Sequence, residues 1–115
     1  MNTGFVYDPA FLKHDTGEGH PERHDRLLVT MAHLQTQSWF SQLHQLSTAT
    51  IERKLLETSH TNSYIQRAED ACKSNQTFLD SMDVAISTDS YEVALLAAGA
   101  PIILADEIIK GSIHN

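Results

Sequence analysis

The chain has 115 residues, 41% hydrophobic and 20% charged, which bounds it to one soluble domain with a modest core. Fifteen acidic against eight basic residues give a formal net charge of -7, a field that repels nucleic acid and anionic membrane and argues against a DNA-binding module. The lone Cys72 excludes an internal disulfide, and Met1-Asn2-Thr3 lacks the charged and apolar regions of a signal peptide, so a reducing, cytoplasmic setting is expected.

Gly4 to Tyr7 is a short apolar run stopped by Asp8-Pro9, the pattern of a first strand. Lys13 to Asp25 carries Gly17, Gly19 and Pro21 among charges and histidines and is expected to be a surface loop. From Arg26, the residues Leu27, Leu28, Met31 and Leu34 recur at helical spacing, with the start set by Asp25 or Pro21. Trp39 to Leu46 is ambiguous. Thr50 is placed to cap a short helix through Leu56, and a second helix is expected over Thr61 to Lys73. That helix buries Tyr64, Ile65, Ala68 and Cys72 and turns Gln66, Arg67, Glu69 and Asp70 to water. Phe78-Leu79 is too short to assign.

The last helix is the clearest. Ser87, Thr88 or Asp89 can cap it, Asp89 and Glu92 have capping-box spacing, and Gly111 can end it. Pro101 lies inside it, so a bend is expected near Gly99 to Pro101. Val93 to Ala105 is uncharged and nearly all apolar, too short for the roughly 18 to 20 residues of a membrane span and expected to be covered on both sides.

Within twelve residues, His14, Asp15, Glu18, His20, Glu22, His24 and Asp25 supply three imidazoles and four carboxylates, ligand types that suit a divalent metal. Against a metal site, Pro21 separates His20 from His24, the HExxH order is missing, and no cysteine pair is present. A solvated loop whose polar groups bond local backbone is the simpler reading. No GxSxG, GxGxxG or GxxxxGK motif occurs, which argues against nucleophilic catalysis and nucleotide binding.

Three ordered segments carry a resemblance. Tyr7-Asp8-Pro9 is followed by Asp15-Thr16-Gly17-Glu18-Gly19-His20-Pro21-Glu22-Arg23-His24-Asp25-Arg26-Leu27. His60-Thr61-Asn62-Ser63-Tyr64-Ile65 comes next, and then Leu79-Asp80-Ser81-Met82-Asp83 with Ser90-Tyr91-Glu92-Val93-Ala94. Together they resemble the histone deacetylase family, most closely its bacterial and class II branch with acetoin-utilisation proteins and acetylpolyamine amidohydrolases. The resemblance implies an α/β fold with a parallel sheet, here a helix-rich N-terminal fragment with one or two short strands. It also implies hydrolysis of acetylated amines, acetyl-lysine or an acetylpolyamine, by a zinc-activated water.

The family's His-His pair and Asp-x-His ligands have no counterpart in these residues. Residues 1–115 are therefore expected to form a single, C-terminally truncated partial domain with no catalytic or metal-binding residue of its own, zinc belonging to the full-length enzyme. By resemblance, Asp83 matches a substrate-binding carboxylate at the channel rim, where charge-assisted bonds to substrate amides are strong. Arg26 matches a channel arginine that attracts released acetate, and His20-Pro21 matches the substrate-binding loop at the pocket entrance. The plainer alternatives are a solvated carboxylate for Asp83 and an ion pair with Glu22 or Asp25 for Arg26. For the whole chain, the alternatives are a stand-alone metal-binding or protein-interaction module, or an inactive remnant. An unpaired sheet edge and apolar helix surface are expected to promote self-association.

Overall fold

The first strand, β1, covers Gly4–Val6 in a computed structural model that describes residues 2–115. It stops where expected, because Asp8 accepts the Ala10 N–H at 2.8 Å and Pro9 enters a 3-10 turn over Pro9–Lys13. The surface loop follows that turn, and α1 runs over Asp25–Gln35. Leu27, Met31 and Leu34 turn inward, whereas Leu28, expected on the same face, is 46% exposed.

The ambiguous segment resolves into a 3-10 turn at Phe40–Gln42 and β2 at His44–Leu46. β2 pairs in parallel with β1, Gly4 opposite His44 and Val6 opposite Leu46, and α1 supplies the crossover that a parallel pair requires. Phe5 packs edge-on against Phe40 at 5.4 Å.

Beyond β2 the backbone lies against the last helix. Thr48 Oγ1 donates to the Leu96 carbonyl at 2.7 Å and the Ile51 N–H to that of Leu95 at 3.1 Å. This docking corrects the expected Thr50 cap: Ile51 is held against the last helix, and α2 covers only Arg53–Leu56 behind the extended Glu52, without a side-chain cap. The fit needs Gly99, since a Cβ there would sit 1.7 Å from the Ala49 carbonyl oxygen.

The next helix, α3, spans Asn62–Lys73 and is capped by Thr61, which accepts the Tyr64 N–H at 3.3 Å. Ile65, Ala71 and Cys72 are buried. Glu69, expected to face water, is instead partly covered because it pairs with both Arg53 and Lys73. The helix closes through Asn75 at φ 56, with Asn75 and Gln76 N–H groups returned to the Cys72 and Ala71 carbonyls. An antiparallel hairpin follows, bridged at Phe78 and Ala85.

The last helix, α4, covers Ser90–Ile109 and ends at Gly111, φ 77. The expected Asp89–Glu92 capping box is absent; Ser90 Oγ instead accepts the Ser87 N–H at 2.7 Å. The helix runs unbroken through Pro101, and the outside donors at Leu95 and Leu96 bond carbonyls in the turns before the proline. One side of its apolar run is covered and the other is not: Val93 and Gly99 are buried, while Ala94, Ala97, Pro101 and Ala105 face outward. That corrects the expectation of cover all round.

The final residues return to the start. His114 N–H donates to the Asn2 carbonyl at 2.7 Å and Gly4 N–H to that of Asn115 at 2.6 Å, using groups in and just before β1 that point away from β2. Ile113 is 1% exposed beneath this contact. Both sides of β1 are thus engaged, so the open edge of the sheet is the outer side of β2. No helix among the described residues is long and apolar enough to cross a membrane.

Candidate functional site

The histidine-rich loop is fixed at one end by α4. His14 Nδ1 lies 2.7 Å from Ser90 Oγ, and the Asp15 N–H donates to Ser87 Oγ at 3.2 Å. Ser90 is 7% exposed and serves the N-terminus of α4 and the loop together. Within the loop, Asp15 accepts the Gly17 N–H at 2.9 Å, His20 Nδ1 accepts the Glu22 N–H at 3.1 Å, and Thr16 Oγ1 donates to the Glu22 carbonyl. Gly17 and Gly19, at φ 86 and 80, make the reversals that these short-range bonds require.

The polar groups of the loop therefore bond local backbone. Among the described residues no three His, Cys, Asp or Glu side chains gather to hold a metal ion. The imidazoles and carboxylates of the loop do not converge on one point as a zinc site requires.

Asp83 sits near the exposed tip of the Thr77–Ile86 hairpin and borders a cavity of about 320 Å³. His14, Glu22, Leu79, Cys72 and Ser90 contribute to the same walls. A second cavity of about 160 Å³ is lined by Phe11, His14, Glu22, Arg26 and Leu27. His14 and Glu22 are common to both, so a wall two side chains wide joins the space beside Asp83 to the space beside Arg26. Arg26 occupies the first turn of α1, where the Asp25 carboxylate is taken by Arg23 at 3.5 Å and His24 at 3.4 Å. His20 and Pro21 lie outside both linings, on the loop itself.

The sequence placed His14 among possible metal ligands and Glu22 there, in the entrance loop and as a possible partner of Arg26, but the place of both between the cavities was not legible. The signal was weak because His14 meets Ser90 across 76 positions of chain. Cys72 borders the cavity beside Asp83, but burial pushes its thiol pKa up, partly offset by a hydrogen bond with Tyr91 backbone, which disfavours the thiolate.

The parallel βαβ start, the hairpin and the long final helix define an α/β segment of deacetylase type. A model of the histone deacetylase domain matches residues 20–115. The chain is 29% identical to histone deacetylase 5 of Arabidopsis thaliana over 96% of its length, and 32% identical to a probable deacetylase of Archaeoglobus fulgidus over 100%. It superposes on the crystal structure of the HDA15 HD domain with a TM-score of 0.89 at 28% identity, covering 99% of this chain. The chain belongs to the histone deacetylase family. It spans 18% and 32% of the two relatives' lengths and 33% of the solved domain.

Proposed function

We propose that these residues form the rim and inner-channel wall of a zinc-dependent deacetylase that hydrolyses acetylated amines, acetyl-lysine or an acetylpolyamine. The observation that carries the reading is the pair of adjoining cavities, with Asp83 on one side of the His14–Glu22 wall and Arg26 on the other. Asp83 accepts hydrogen bonds from substrate amides at the mouth, where an exposed carboxylate is free to bind donors. Arg26 holds a fixed positive charge beside the second cavity and draws acetate away. His20 and Pro21 shape the entrance from the loop.

The zinc ligands and the proton-transferring histidines lie outside these residues, so the chemistry needs the remainder of a deacetylase domain. The test is turnover of an acetyl-lysine peptide and an acetylpolyamine by the 115-residue chain and by an intact domain that contains it. Turnover by the intact domain, lost to a chelator, with none by the chain alone, is the expected result. Asp83→Asn in the intact domain should raise KM by about 10-fold or more with kcat little changed. Hydrolysis by the chain alone would overturn the reading, and so would an unchanged KM in Asp83→Asn.

A further inference from the structure

The hairpin that carries Asp83 is thin. Three backbone bonds hold it: Ile86 N–H to Thr77 at 2.9 Å, Leu79 N–H to Val84 at 3.0 Å, and Val84 N–H to Ser81 at 3.0 Å. Such a hairpin keeps its shape but does not by itself fix its tilt against the body of the protein, and tilt decides where Asp83 points. A second carboxylate, three residues earlier, supplies an anchor. Asp80 receives Arg67 Nη1 on Oδ1 and the Tyr64 hydroxyl on Oδ2 at 3.2 Å. Tyr64 and Arg67 are one helical turn apart on α3, the Arg67 guanidinium lies 4.9 Å over the Tyr64 ring, and His60 stacks on that ring at 5.6 Å.

A single exposed ion pair contributes little. Here both oxygens of one carboxylate are held by two side chains of one rigid helix, which restrains direction as well as distance. The Arg67 hydrogen bond keeps the Asp80 carboxyl below its ordinary pKa, so the anchor holds its charge to lower pH than a free aspartate does. The two carboxylates of the hairpin therefore have different surroundings: Asp80 is bound to protein, and Asp83 borders the cavity.

We propose that Asp80, held by Arg67 and Tyr64, is a positioning residue that aims Asp83 at the substrate. The inference rests on the reading of Asp83 as the substrate-binding carboxylate. It is tested in the intact zinc-loaded domain with Asp80→Ala, Arg67→Ala and Asp83→Asn, and with Tyr64→Phe, which removes only one hydroxyl and preserves packing. Two readouts are needed: amide exchange of the peptide 77–86, and kcat and KM on an acetyl-lysine peptide.

The expected result is exchange in 77–86 about 10-fold faster in Asp80→Ala and Arg67→Ala, with a smaller change in Tyr64→Phe and none in Asp83→Asn. KM should rise roughly 3- to 10-fold with kcat retained, and Asp80→Ala should add nothing once Asp83→Asn is present. Unchanged exchange in 77–86 would overturn the proposal. So would a loosened hairpin with normal KM while Asp83→Asn still raises KM, an outcome that leaves the role of Asp83 standing. If Asp83→Asn itself has no effect on KM, the reading of Asp83 fails and the positioning role falls with it.

Discussion

Two polar side chains show how much a single residue's partners decide. Ser90 accepts the Ser87 N–H and meets His14 while almost fully buried, so removing its hydroxyl strands a donor and frees the loop. Ser90→Ala should lower stability by about 1–3 kcal/mol in denaturant titration and increase exchange in residues 14–24. Asp80 is exposed, and its contribution is read through pH. Its folded pKa is depressed, so the stabilisation is present above the unfolded carboxylate value and disappears as pH falls through the lower folded value. Exchange in 77–86, corrected for intrinsic rates, should therefore rise on acidification below about pH 4 in the parent protein, and Asp80→Ala should abolish that pH dependence. Neither role could be read from the sequence. Asp80 and Ser90 stand beside familiar turn and cap residues, but their partners come from other elements, and only the fold makes them neighbours.

At the scale of elements, legibility followed periodicity. α3 was visible because its apolar residues recur at helical spacing behind Thr61, and α4 because a long apolar run lies between polar capping residues and Gly111. β2 was not visible. His44-Gln45-Leu46 is mostly polar and exposed, since it pairs along one side only and its strand character comes from β1. The cap assigned to Thr50 failed for a related reason: the backbone of Ala49 and Ile51 is committed to α4. This crossing of strand-like backbone over a helix depends on Gly99. Gly99→Ala would bring a methyl onto the Ala49 carbonyl, and the packing loss should amount to about 3 kcal/mol or more, seen as a large fall in Tm. An alanine at neighbouring position 97 is already present and exposed, so the penalty belongs to the position and not to the residue type.

As a whole the molecule is a slab. Its extents are 43 × 34 × 17 Å and its radius of gyration is 16.0 Å, against roughly 13 Å for a compact domain of this length. The outward side of α4 and the residues Val29, Met82 and Ile109, exposed by 70%, 78% and 83%, leave apolar surface uncovered. The 115-residue chain should accordingly self-associate in sedimentation velocity and bind a hydrophobic dye; a stable monomer that binds none would contradict this. The sequence showed α4 to be apolar on every side but could not show which side stays bare, because that depends on which neighbours the fold supplies. The resemblance in segment order supplied the α/β class where local pattern stopped.

The contact between β1 and the residues around Asn115 also bears on how the chain is made. Gly4 leaves the ribosome early, yet the group that accepts its N–H is 111 positions later. At translation rates of about 5–20 residues per second, the first strand waits on the order of ten seconds for that acceptor. β2 arrives sooner and holds one side of β1, while the other side stays open until residues 114 and 115 follow. In a cell, the nascent protein therefore presents a half-satisfied strand to chaperones until residues 114 and 115 emerge.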